Sequence, residues 1–161
     1  MTPWDHRPRE VKYLLNPAFC SGVLTSCALA YEGKSGEPMP LALAFLCLPI
    51  VLHGDTRRAL PKTVNANLNN WLLNNRIVTV GFARRARSLL PYTREALSFG
   101  ASRGILQVTP QGVKSNLTKP AQIYRQSPSL ELHAKAARNL GIWFAESGSP
   151  SMIYSLWGVA P

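Results

Sequence analysis

Residues 76–119 read RIVTVGFARRARSLLPYTREALSFGASRGILQVTPQGVKSNLTK. A basic, helix-patterned run leads into a short strand, a turn and a second strand. Phe82, Ala86 and Leu89 fall on one helical face, with Arg84, Arg85 and Arg87 outside it. Pro91 is poorly placed deep in a helix, so the pattern predicts one helix over 82–90 and a second over 91–102, stopped by Gly104. Ile105–Val108 predicts a strand, Pro110-Gln111-Gly112 a turn, and Val113-Lys114 the start of the return strand. A helix followed by a hairpin is the order a winged helix needs. The expected fold is therefore mainly α (α+β): one helical domain over 1–161, with a winged-helix-like segment and one small β-hairpin.

Working outward, the flanks also read as helical. Asn16-Pro17 is a cap followed by a first helical residue, and a helix is expected over 17–31, ended by Gly33. Phe19, Val23, Cys27 and Tyr31 form its stripe, broadened by Cys20, Leu24 and Leu29. A helix apolar on most sides is either central to the core or covered by a partner, and Phe19, Val23 and Cys27 are candidates for the covered face. Leu41–Leu52 is a buried element expected to end or kink after Leu48, because Pro49 follows. An Asn-rich helix with Leu68, Trp71 and Leu72 inward opens the basic, winged-helix-like unit of helices and hairpin that covers 62–117. After a polar connection, helices are expected over 128–146, with Leu132, Ala136, Leu140 and Trp143 on one face, and over 150–157.

Charge is segregated along the chain. The net charge is +10, yet residues 57–125 hold twelve Lys and Arg against Glu95 alone, and both flanks are close to neutral. Such a localised excess points to a polyanion or to an acidic protein surface. The candidate basic face comprises Arg57, Arg58, Lys62, Arg84, Arg85, Arg87, Arg94, Arg103 and Lys114. Its contacts would position a phosphate backbone rather than read bases.

Catalytic chemistry finds little support. His6, His53 and His133 stand apart, and the three cysteines have no metal spacing and fit small core residues of a reducing compartment. No GxGxxG or GxxxxGK[ST] phosphate loop is present, and the eight carboxylates form no evident acid–base pair. No enzyme activity, cofactor or metal is expected. The opening residues lack a signal-peptide pattern, and the apolar run near Leu41–Leu52 is too short for a bilayer. The expectation is a bacterial cytoplasmic protein without a membrane partner.

Five blocks carry a family resemblance: RPREVKYLLNPAFC (7–20), FLCLPIVLHGDTRRALPKT (45–63), NNWLLNN (69–75), GFARRARSLLPYTREALSFG (81–100) and IYSLWGVAP (153–161). In this order they resemble the middle components of bacterial three-component ABC ATPase conflict systems, of the Lamassu anti-phage and anti-plasmid type. The resemblance implies a small non-enzymatic subunit with no catalytic residues. It implies two partners: a coiled-coil ATPase of the structural-maintenance-of-chromosomes and Rad50 kind, and an effector, often a nuclease. It implies coupling between them or engagement of double-stranded DNA. Two rivals stand beside it. One is a free-standing winged-helix transcriptional regulator, which would bind as a symmetric dimer. The other has the basic face gripping an acidic protein surface.

Overall fold

The computed structural model describes residues 6–61, 67–118 and 128–160. Its axis is helix α2 (Pro17–Ser35), which follows the short α1 (Arg9–Leu14). The Asn16 side chain accepts the Ala18 N–H at 2.8 Å, and Pro17 supplies a fixed φ at the first helical position. The helix runs past Gly33 to Ser35, four residues longer than expected. The stop is Gly36, whose left-handed φ of 78° lets its N–H return to the Glu32 carbonyl. Nine consecutive residues, Cys20 to Ala28, are buried. The hydroxyls among them are satisfied locally: Thr25 donates to Ser21 O at 2.7 Å and Ser26 to Gly22 O at 2.8 Å. By length and apolarity Val11–Ser35 passes as a bilayer-spanning stretch, and half of its most apolar window is buried inside this fold.

Helices α6 (Phe82–Ser102) and α7 (Pro128–Glu146) pack on α2. Glycine sets the α2–α7 distance and makes room at α6 for Leu106 and Ser21. A Cβ on Gly141 of α7 would lie 2.2 Å from the Cys27 carbonyl oxygen. One on Gly100 of α6 would lie 2.8 Å from Leu106 Cγ and 3.3 Å from Ser21 Cβ. Along α7, Ala136, Leu140 and Trp143 face the core as expected, but Leu132 is 61% exposed.

Helix α3 (Leu41–Val51) does not end at Leu48. It carries Pro49 internally, and Leu52 N–H still reaches the Leu48 carbonyl at 2.9 Å. Helix α6 likewise continues through Pro91, so the two expected helices are one of 21 residues. Each proline removes a single donor, from the carbonyls of Phe45 and Arg87 respectively. In α3, eight buried side chains outweigh that loss. Pro91 is exposed, so its unmatched carbonyl partner lies on the helix's outer side.

Between α3 and α6 lie α4 (Gly54–Ala59), α5 (Leu68–Asn74) and a 3-10 turn at Arg76–Thr79. The Asn67 side chain caps α5 by accepting the Asn69 and Asn70 N–H groups. Strands β1 (Leu106–Thr109) and β2 (Gly112–Ser115) form the expected antiparallel hairpin, within a residue or so of the predicted strands. Its β2 edge is also pinned: Val113 and Met39 exchange N–H···O bonds of 2.7 and 3.0 Å. Last comes α8 (Pro150–Leu156), capped by Ser149. Trp71, Trp143, Trp157 and Phe82 meet there, with ring centroids 4.5–6.3 Å apart.

The Gly141 contact offers a direct check on this architecture. Gly141→Ala should destabilise the fold by about 3 kcal/mol or more, since helix backbones must separate to admit the methyl group. Urea denaturation measures it, and an unchanged midpoint would refute the close α2–α7 contact.

Candidate functional site

The basic segment separates into two populations once its partners are visible. Arg57 turns back on α3 and donates to Val51 O at 2.8 Å and Leu52 O at 3.4 Å. Arg85 donates to Val80 O at 3.0 Å and Val78 O at 2.9 Å, and its guanidinium lies over the Phe82 ring. Burial lowers the pKa of both guanidinium groups. These two arginines fasten the end of α3 and the 3-10 turn to the rest of the chain. Arg58 pairs with Asp55 on the surface, and Lys114 with Glu32 at 3.3 Å. Lys62 lies outside the described residues.

Arg84, Arg87 and Arg94 form the second population. All three are exposed, and among the described residues none has an acidic partner. At 3.6 residues per turn they share one stripe of α6, about 15 Å long. The single carboxylate of that helix, Glu95, is held by both nitrogens of Arg7 at 2.8 and 3.0 Å, so it does not offset the stripe. Arg103, at the far end of α6, is exposed and lies over the Phe99 ring.

Beside the stripe opens a groove of ≈ 680 Å³. The first half of α3 supplies Leu41, Ala42 and Phe45; α6 supplies Ala83, Ala86 and Leu90; and the segment after α8 closes it with Val159. Arg87 and Arg94 also line it. Its one hydroxyl, on Tyr154, already donates to Ala42 O at 2.7 Å. A second groove of ≈ 450 Å³ lies near the other end of α3, between α1, α2 and α7. Leu52, Tyr13, Leu14, Phe19 and His133 line it, and Phe19 meets His133 edge-on with ring centroids 5.3 Å apart. The two grooves share no residue.

Of the candidate interface residues, only Phe19 reaches a surface. Val23 and Cys27 are 0% exposed and belong to the core, because α7 and α6 already cover that side of α2. The groove residues Leu41, Ala83 and Leu90 were not singled out by sequence, although Ala83 and Leu90 stand seven apart on the face next to the arginines. Also outside the sequence reading are the exposed apolar side chains of Leu73, Ile77 and Val80, on α5 and about the 3-10 turn. Among the described residues no group of three His, Cys, Asp or Glu could hold a metal ion. Burial pushes the Cys20 thiol up to about 12.

His53 caps α4, its Nδ1 facing the Thr56 N–H at 3.3 Å and the Thr56 hydroxyl at 2.8 Å. Burial, and then Arg85, hold its pKa below the ordinary histidine value. The unfolded chain therefore takes up a proton that the folded chain resists. Stability from this site is complete above the unfolded value of about 6.5 and is lost as the pH falls below it. Lowering the pH from 7 to 5 should reduce Tm less in His53→Asn, which keeps a cap but cannot titrate. Equal losses in both proteins would contradict this.

The two arginine populations should separate on substitution. Arg57→Ala and Arg85→Ala should each cost about 1–2 kcal/mol, through charged hydrogen bonds lost to carbonyls. Arg84→Ala, Arg87→Ala and Arg94→Ala should stay within about 0.5 kcal/mol of the parent. Denaturant titration of the five variants reads the difference.

Compared with known protein families, residues 4–161 match the model described as ABC-three component (ABC-3C) system Middle Component 3. No curated protein and no solved structure matches the chain.

Proposed function

Because the chain belongs to the Middle Component 3 family of ABC-three component systems, an accessory component beside an ABC ATPase, we propose that it is a non-catalytic adaptor. It couples a coiled-coil ATPase of the structural-maintenance-of-chromosomes and Rad50 kind to an effector, a nuclease, within a Lamassu-type bacterial defence complex. The observation that carries this reading is the pair of apolar grooves at opposite ends of α3. An adaptor needs two separate faces, and exposed apolar concavities are where partners bury surface. The second groove, with Tyr13 76% and Leu14 64% exposed, supports reading the Phe19 region as a protein interface.

Contact with duplex DNA is a second reading, favoured by the exposed stripe of Arg84, Arg87 and Arg94. Such contacts attract phosphates without reading sequence, and each phosphate neutralised adds about 0.9 to the log–log salt slope. Against it stands the position of Arg87 and Arg94 on the lip of an apolar groove, which a phosphodiester backbone would leave uncovered.

Co-expression with the neighbouring genes, followed by purification and mass measurement, tests the adaptor role. The expected product is a complex containing the ATPase and the third component. Leu14→Asp should reduce co-purification at least about tenfold while the fold persists, because a charge cannot be buried unpaired at an interface. A homodimer that binds palindromic DNA and ignores both neighbours would favour the repressor reading instead. Replacing Arg84, Arg87 and Arg94 by Glu separates DNA from protein: a flatter salt slope with the complex intact supports DNA, and a broken complex supports a protein ligand.

A further inference from the structure

The groove between α3, α6 and the segment after α8 has the chemistry of a receptor for one kind of segment. We infer that it holds an amphipathic helix from another component, with an apolar face and acidic residues along the edge next to α6. This deepens the adaptor reading and rests on it in one respect, that the occupant is a different chain.

Charge complementarity chooses the occupant. Arg87 and Arg94 line the groove, and Arg84 continues the same stripe one turn earlier. Among the described residues no carboxylate lines the groove, and Glu95 is taken by Arg7. A neutral or basic segment would leave two arginines facing it without counter-charge, whereas aspartates or glutamates would satisfy them. Arg87 and Arg94 are seven residues apart, about 10.5 Å along the axis. Acidic residues spaced by two turns on a helix lying along α6 would meet both.

The floor then decides between protein and nucleic acid. Leu41, Phe45 and Leu90 are apolar, and the Tyr154 hydroxyl is already engaged. Nothing on that floor asks for a polar ligand. Ala42, Ala83, Ala86 and Gly158 are small, so an incoming backbone can approach closely. A trough between two helices, with small residues at its base, accepts side chains at i, i+3 or i+4, and i+7 of a third helix.

The experiment places a photo-crosslinking amino acid at Ala83, an exposed position on the groove wall, in the full chain expressed with its neighbouring genes. Mass spectrometry then identifies what is captured. The expected product is a peptide of another component with helical apolar periodicity and at least two acidic residues on one edge. Arg87→Glu with Arg94→Glu should cut the crosslinked yield about tenfold or more, since like charges would face each other. Replacing the captured acidic residues by Lys should restore it. Circular dichroism and Tm of the double variant check that it folds. Capture of a second copy of this chain, of DNA, of a segment lacking acidic residues, or of nothing would overturn the inference. So would a yield indifferent to the double substitution. Co-purification of the unsubstituted chain with the ATPase is scored separately. An intact complex without the Ala83 crosslink sinks the groove assignment alone, and absence of any complex sinks the adaptor reading.

Discussion

Helix α7 rests on α2 at a distance that only a hydrogen atom allows. The Gly141 position faces the Cys27 carbonyl so closely that any side chain would displace one helix from the other. Much else follows from that contact. With α7 on one side and α6 on another, α2 has nine buried residues in succession and tolerates hydroxyls only where they fold back on its own carbonyls. The aromatic group around Trp157 then fills the space where α5, α6, α7 and α8 converge. A small domain with few charges builds its core from close helix approach rather than from bulk alone.

The same economy governs the cations. A protein with 16% charged residues cannot neutralise twelve basic groups with one acid in the same segment, so backbone carbonyls take some of the work. Arg57 and Arg85 bind carbonyls near the end of α3 and at the 3-10 turn, where helical partners are lacking. Arg84, Arg87 and Arg94 of α6 are left facing solvent without a carboxylate among the described residues. The basic block that the sequence counts as one is thus divided between holding the fold and meeting something outside it.

Much of the fold was legible from pattern alone. Asn16-Pro17, Ser149-Pro150 and the turn at Pro110-Gln111 each announce a boundary through backbone chemistry that acts within a few residues. Elsewhere distant packing overrides such local rules. Pro49 and Pro91 signal breaks, yet one lost hydrogen bond is small beside the packing of the surrounding helix. Gly33 was read as a stop, but the left-handed turn is made by Gly36. Val23 and Cys27 share the stripe of Phe19, and no periodicity reveals that two later helices cover them. The arginine-edged groove was not legible, because its walls come from residues 41–46, 83–94 and 154–160. Charge can be counted in sequence; the carbonyl that Arg57 or Arg85 will find cannot.

Pro49 and Pro91 also have a mechanical meaning. They sit in the two helices that wall the arginine-edged groove, and each leaves a turn with one rung missing. Flexing a helix at that turn meets one backbone hydrogen bond fewer than elsewhere along it. Those two turns are where α3 and α6, the helices that wall the groove, are least stiffened by their own backbones.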